Sequence, residues 1–105
     1  MTPRWILPIA TALMLGMSVS ADAATIQITM ENLVISPAET SAKVGDTIEW
    51  VNKDIFAHTA TVRNGDWDVT MPPKKTITLV LTTAGMTEYY CRFHPNMKAT
   101  LVVAP

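Results

Sequence analysis

Three side chains that could bind a soft metal ion lie at intervals of three residues near the end of the chain. Cys91, the only cysteine, is followed by His94 and Met97. A thiolate, an imidazole and a thioether are soft ligands that favour copper. The chain has only one other histidine, His58. A complete site therefore requires a fold that brings His58 to residues 91–97.

These residue types predict one kind of copper site. A trigonal plane of two imidazoles and one thiolate, with a long and weak bond to an axial thioether, is diagnostic of electron-transfer copper. Such a geometry suits neither oxidation state fully, so the surroundings change little when an electron is transferred. We predict that His58, Cys91 and His94 form the plane of one electron-transfer copper site and that Met97 is its axial ligand.

Each of these residues has an ordinary structural interpretation when it is considered alone. A lone cysteine more often packs as a small buried hydrophobe, His58 can be a hydrogen-bonded core histidine, and Met97 can fill space in a core. The combination of all four favours the ligand set. Met71 and Met86 are interpreted as packing or surface residues, and they predict no second copper site.

Alternating polar and apolar residues predict the frame that must position these ligands. After Ala24 the alternation has a period of two, turn residues recur at short intervals, and no long amphipathic helix is indicated. Asn64-Gly65 is the strongest turn signal. The pattern predicts an all-β fold: a small antiparallel Greek-key sandwich of seven or eight strands. Asn52 is predicted to be buried and hydrogen-bonded at a strand end.

The same alternation predicts where two of the ligands point. His58 shares one face of its strand with Ala60 and Val62, and Met97 begins an inward-facing series that includes Leu101. Both side chains are therefore expected to lie at the edge of the core.

The first residues have the pattern of a secretory signal. Arg4 precedes an apolar run over residues 5–17, and Ala21-Asp22-Ala23 matches a cleavage site. The alternative is an uncleaved anchor, but the run is shorter than the roughly 20 residues that span a bilayer. We predict a signal peptide at 1–23 and an exported copper-binding domain at 24–105.

Charge and cysteine content narrow the possible partners. The formal net charge is −1, which gives no electrostatic reason to expect binding to nucleic acid or to an anionic membrane. A lone cysteine in an exported protein cannot form an internal disulfide, and metal binding would occupy its thiol.

The motif Cys91-x-x-His94-x-x-Met97, together with His58 and the run VGDTIEWVN at 44–52, resembles the blue copper proteins, or cupredoxins. Its loop spacing and Pro95 are most similar to those of the amicyanins. The resemblance implies type 1 copper, a Greek-key sandwich, periplasmic location and single-electron shuttling by a monomer. It also implies transient redox partners, such as a dehydrogenase and a c-type cytochrome.

Two neighbours of the ligands depart from the pattern of these relatives. Thr59 occupies the place of an asparagine that usually joins the two ligand-bearing loops, and Phe93 replaces a proline before the loop histidine. The bond between the loops would then depend on the Thr59 hydroxyl. Groups next to metal ligands tune the metal, so we expect the copper potential and the stability to differ from those of amicyanin.

Large apolar residues cluster in the predicted loops around His94. We predict that some of them form an apolar collar where a redox partner docks through a small interface. The candidates are Ile55, Phe56, Pro72, Pro73, Phe93 and Pro95.

Two other classes of function are compatible with a small copper-binding domain. A protein for copper delivery or storage is the first alternative, but such proteins favour Cu(I) through several methionines or cysteines. An enzyme is the second alternative. The sequence has no further histidines for a catalytic copper and no recognisable catalytic triad, so we predict that the chain is not an enzyme.

Overall fold

The computed structural model describes residues 22–105, which form nine strands and no helix. No helix in this range is long and apolar enough to cross a membrane. Residues 1–21 of the predicted signal peptide lie outside the described residues. The strands are β1 (Thr25–Glu31), β2 (Val34–Ser36), β3 (Glu39–Lys43), β4 (Thr47–Asn52), β5 (His58–Val62), β6 (Asp68–Met71), β7 (Thr76–Val80), β8 (Gly85–Tyr90) and β9 (Lys98–Ala104).

The strands form two sheets that pack as a sandwich, which confirms the predicted all-β fold. One sheet has the order β2-β1-β4-β7, and the other has the order β3-β9-β8-β5-β6. Two differences from the prediction are the number of strands and the parallel pairing of β1 with β4 and of β3 with β9. Alternation indicates which face of a strand is buried, but it does not indicate the direction of its neighbour. The extra strand, β2, is too short to show a pattern.

Two buried aromatic residues, Trp50 and Tyr89, lie in the core, and the partly buried Trp67 packs against them. The rings of Trp50, Trp67 and Tyr89 lie with their centroids 5.5 to 5.6 Å apart, within the range of favourable aromatic pairs. Trp50 Nε1 donates a hydrogen bond to the Tyr89 hydroxyl at 3.2 Å. Burial raises the pKa of Tyr89 to about 12, so this phenol stays neutral in the folded protein at physiological pH.

Asn52 organises the end of the sandwich where the predicted ligands lie. Its side chain is 1% exposed, and its Nδ2 lies 2.8 to 3.2 Å from the carbonyl oxygens of Phe56, Met71 and Pro72. Its Oδ1 accepts a hydrogen bond from the Asp54 amide. The predicted buried, hydrogen-bonded position of Asn52 is confirmed. These bonds fix the loop between β4 and His58.

Substitution of Tyr89 by phenylalanine tests the buried aromatic hydrogen bond. Because Trp50 Nε1 would lose its partner inside the core, we expect the free energy of unfolding to fall by about 1 to 3 kcal/mol. Urea unfolding of the apoprotein measures this loss. Tyr90→Phe is the control, since Tyr90 lies on the outer face, where Arg63 covers its ring. Equal stability of the two variants would contradict the prediction.

Candidate metal centre

The fold brings three of the four predicted ligands to one point. His58 is the first residue of β5, Cys91 directly follows β8, and His94 lies in the loop between β8 and β9. Their donor atoms all lie within 4.8 Å of one another. Cys91 Sγ is 3.8 Å from His58 Nδ1 and 3.7 Å from His94 Nδ1. His58 and Cys91 are fully buried, whereas His94 is partly exposed.

The two nitrogen–sulfur separations match those of a trigonal metal site. Metal–nitrogen and metal–sulfur bonds of about 2.1 and 2.3 Å, the lengths found at zinc, place their donor atoms about 3.8 Å apart when they meet at roughly 120°. Both histidines turn Nδ1 toward the thiol. The donor types and their separations therefore fit one copper ion in the plane predicted from the sequence.

Consecutive turns explain why the ligand residues recur every three positions. The His94 amide donates to the Cys91 carbonyl at 3.3 Å, and the Met97 amide donates to the His94 carbonyl at 2.9 Å. The Cys91 amide in turn donates to the Met97 carbonyl at 3.0 Å. These bonds close residues 91–97 into a compact loop.

Met97 has the position expected of an inward-facing residue at the head of β9. Its side chain is 2% exposed, and Ala99, Leu101 and Val103 after it are also buried. Met97 lines a surface cleft together with His94 and Leu33. Its role as axial ligand, like the ligand roles of the other three residues, stays a prediction.

Asp54 contacts the predicted ligand His58, and this contact was not predicted from the sequence. One of its carboxylate oxygens lies 2.7 Å from His58 Nε2. The carboxylate also accepts hydrogen bonds from the amides of Asn32 and Leu33, at 2.7 and 3.2 Å. Metal-binding histidines commonly donate their second N–H to a carboxylate. The sequence signal that could have indicated this contact is an acidic residue four positions before a predicted histidine ligand.

The ionisation of Asp54 fixes the tautomer of His58. Burial raises the pKa of Asp54, but the hydrogen bonds from His58 and from the amides of Asn32 and Leu33 together lower it below its ordinary value. An ionised carboxylate can only accept, so His58 Nε2 carries the hydrogen. When the imidazole is neutral, its lone pair is then on Nδ1, which faces the site, as metal binding requires.

Thr59 joins the two ligand-bearing segments, so its hydroxyl takes part of the role that the family resemblance gives to an asparagine at this position. Its hydroxyl accepts a hydrogen bond from the Arg92 amide at 2.8 Å. Its own amide donates to Cys91 Sγ at 3.3 Å. A thiolate that accepts such a bond has part of its charge stabilised. Hydrogen bonding around the cysteine sulfur is one of the factors that tune a copper potential.

The residues predicted to form the collar are exposed, and one of them, Phe56, lies next to the partly exposed ring of His94. The Phe56 ring lies 6.0 Å from the ring of His94 and 6.4 Å from that of His58. Ile55, Phe56 and Phe93 are 72%, 48% and 51% exposed. Pro72, Pro73 and Pro95 are also exposed. The predicted collar residues are thus accessible, and their docking role stays a prediction.

Comparisons with known proteins agree with this geometry. The family model described as Cupredoxin-like domain matches residues 5–103. Amicyanin from Paracoccus denitrificans is 31% identical over 71 residues, which are 62% of this chain and 54% of that protein. The match therefore spans about half the length of this curated relative.

Solved amicyanin structures have the same fold. The Cu(I) form of a methionine-to-alanine variant matches with a TM-score of 0.70 and 29% identity, over 80% of this chain and 85% of the other. Amicyanin from Paracoccus versutus matches with a TM-score of 0.67 and 25% identity, over 81% and 84%. With the cluster of His58, Cys91 and His94, these relatives support the predicted cofactor, one type 1 copper ion.

The pH dependence of stability tests the role of Asp54. Because the pKa of Asp54 is lower in the folded than in the unfolded protein, its contribution is fully present above the unfolded value of about 3.9 and is lost as the pH falls through the folded value. We expect Asp54→Asn to unfold more easily at pH 7, by about 1 to 3 kcal/mol, and to lose less stability between pH 5 and pH 2.

Urea unfolding of the apoproteins across this pH range measures both effects. Asp66→Asn is the matched control. Asp66 is exposed, and within residues 22–105 its only hydrogen-bond partner is Asn64. If the free energy of unfolding falls equally steeply between pH 5 and pH 2 in Asp54→Asn and in the unmodified protein, then Asp54 does not hold His58 as described.

Proposed function

The chain belongs to the cupredoxin family, and we propose that it is a periplasmic carrier of single electrons whose copper ligands are His58, Cys91, His94 and Met97. The convergence of two imidazole Nδ1 atoms on the Cys91 sulfur supports this proposal most strongly. His94 is partly exposed whereas the other three proposed ligands are buried, so we expect electrons to pass between the site and a partner through its ring.

The protein contributes a fixed set of donors in a site from which water is largely excluded. When it is bound, copper supplies a centre that alternates between Cu(I) and Cu(II) and so takes up or releases one electron. Asp54 holds His58 in the tautomer and orientation that present Nδ1, and the closed turns of residues 91–97 hold His94. A fixed arrangement of this kind minimises rearrangement between the two oxidation states.

The proposed partners are redox proteins that bind transiently to the collar around His94. Electron-transfer complexes are typically small, with less than about 1,200 Å² buried, and an apolar surface of a few side chains suits such an interface. By family resemblance we propose a dehydrogenase and a c-type cytochrome as donor and acceptor and a monomer as the working form. Binding to nucleic acid or to a membrane surface is not part of the proposed function.

The contacts of Ala24 support the proposed boundary between the signal peptide and the domain. The Ala24 nitrogen donates to Asp46 Oδ1 at 2.9 Å, and this bond lowers the pKa of Asp46, with a further contribution from the Lys43 amide. Cleavage after Ala23 would convert the Ala24 amide into an ammonium group. The nearly buried Asp46 carboxylate is a suitable acceptor for that charge.

The donor set favours electron transfer over the alternative of copper delivery or storage. Members of this family carry electrons and are not enzymes, and the same role is proposed for this chain. Sites rich in sulfur ligands select Cu(I), whereas the proposed ligand set has one thiol, one thioether and two imidazoles. A carrier should exchange electrons quickly and retain its copper.

Addition of Cu(II) to the mature protein tests the proposed site. We expect one equivalent to bind and to produce an intense visible thiolate-to-copper absorption band with the EPR signal of type 1 copper, and a reductant should bleach the band. Cys91→Ala should abolish the colour. A colourless, weakly bound copper complex in the unmodified protein would contradict the proposed function.

The axial role of Met97 is tested in the same titration. Met97→Leu keeps an apolar side chain of similar volume, so the band should persist, while the reduction potential and the EPR parameters should change. Met86→Leu is the control, because Met86 is 76% exposed. Identical spectra and potentials in all three proteins would show that Met97 is not a ligand.

Electron self-exchange tests the collar without knowledge of a partner. Two copies must bring their collars together to exchange an electron, so Ile55→Ser or Phe93→Ser should slow self-exchange about tenfold or more at an unchanged copper occupancy. Line broadening in NMR spectra of mixtures of Cu(I) and Cu(II) protein measures the rate. Val102→Ser is the control, since Val102 is also partly exposed but lies on β9. Equal slowing by the control would exclude the collar as the docking surface.

A further inference from the structure

A line of hydrogen bonds runs across the outer face of the five-stranded sheet and ends at the ligand loop. Thr59 and Thr61 point outward from β5, yet they are 0% and 7% exposed. Their hydroxyl oxygens lie 2.9 Å apart. Thr61 Oγ1 donates to Asp68 Oδ1 at 2.7 Å, and the same carboxylate oxygen accepts from Arg92 Nε at 3.1 Å.

The direction of each bond follows from the donors and acceptors available. An ionised carboxylate can only accept, and the hydrogen bonds from Thr61 and Arg92 lower the pKa of Asp68. Thr61 therefore gives its single hydroxyl hydrogen to Asp68 and must accept from Thr59. With its own hydrogen directed to Thr61, the Thr59 hydroxyl turns its lone pairs to the Arg92 amide, which donates to it at 2.8 Å.

Thr59, Thr61, Asp68 and Arg92 form a closed ring of hydrogen bonds. Arg92 closes it, because its amide donates to Thr59 and its side chain donates to Asp68. This ring includes the N–H of the peptide unit that joins Cys91 to Arg92, and so it fixes the orientation of that unit. The N–H of that peptide is held by Thr59, and its C=O accepts the His94 amide in the first turn of the ligand loop. The orientation of one peptide unit thus links the ring to the position of His94 and to the Thr59–Cys91 contact.

We propose that Thr61 and Asp68 are positioning residues for the copper site, which they influence by orienting the Thr59 hydroxyl. This inference rests on the proposed function for its effect on copper, but not for its effect on the loop. The Asp68–Arg92 ion pair alone would contribute little, because its side chains are 50% and 40% exposed and exposed pairs are weak. Its effect comes from fixing the direction of two buried hydroxyls.

Thr61→Val is the decisive variant, because it removes the central hydroxyl without changing charge. The Thr59 hydroxyl then loses its acceptor and is free to turn away from the Arg92 amide. We expect the amide hydrogen exchange of Arg92 in the apoprotein to accelerate about five- to tenfold. In the copper protein a weaker amide bond to the Cys91 sulfur should lower the reduction potential, because the sulfur then donates more charge to Cu(II).

Two substitutions of Asp68 separate the ring from its charge. Both bonds use Oδ1, so Asp68→Asn can keep the ring and should leave Arg92 exchange within about twofold of the unmodified protein. Asp68→Ala breaks the ring and should accelerate exchange as Thr61→Val does. Asp66→Ala, which also removes an exposed carboxylate, should leave exchange unchanged.

The proposal is overturned if Thr61→Val leaves both the Arg92 exchange and the potential unchanged, or if Asp68→Asn and Asp68→Ala behave alike. Combining Thr61→Val with Asp68→Ala should add little to either single change, since both break one ring. Full additivity would also overturn it. Absence of the blue band in the unmodified protein would instead contradict the proposed function, and the exchange measurements on the apoprotein would still decide the role of the ring.

Discussion

The hydrogen bond between His58 and Asp54 is the interaction on which the geometry of the site depends most. A fully buried imidazole needs a partner for its N–H, and Asp54 provides it at 2.7 Å. The carboxylate is itself held by the amides of Asn32 and Leu33, and its own amide is held by Asn52. The orientation of His58 is thus tied to strand β4 and to the turn after β1.

The pleat of β5 lets adjacent residues support the site from opposite sides. His58 points into the sandwich and meets Asp54, whereas Thr59 points to the outer face and meets Arg92. The amide of Thr59 reaches the Cys91 sulfur between them. One short strand therefore carries a predicted ligand, a donor to a second ligand and the bond between the two loops. A shift of one residue in the register of β5 would turn His58 to the outer face and Thr59 into the sandwich.

Much of this arrangement could be predicted because it depends on local patterns. Alternation placed His58 and Met97 on buried faces and identified Asn52 as a buried strand-end residue. The soft donors at three-residue spacing indicated the metal and the turns that bring His94 back toward Cys91. The parallel strand pairs could not be predicted, because side-chain alternation is the same for either direction of a neighbouring strand. The roles of Thr61 and Asp68 could not be predicted either, because nothing in their sequence spacing indicates that they lie close to Arg92.

The family resemblance implies an asparagine where this chain has Thr59, and the difference has consequences that extend beyond one residue. An asparagine side chain carries both an acceptor and two donors, whereas a buried threonine has one hydroxyl, whose hydrogen needs an acceptor of its own. Thr61 meets that need but then requires an acceptor in turn, and Asp68 at the edge of the sheet is the first group that can only accept. In this protein the shorter side chain beside the ligand loop is supported by a line of two hydroxyls that ends at a charge. Arg92 both contacts that charge and supplies the amide that Thr59 holds. The four residues are therefore best understood as one replacement for a single amide side chain.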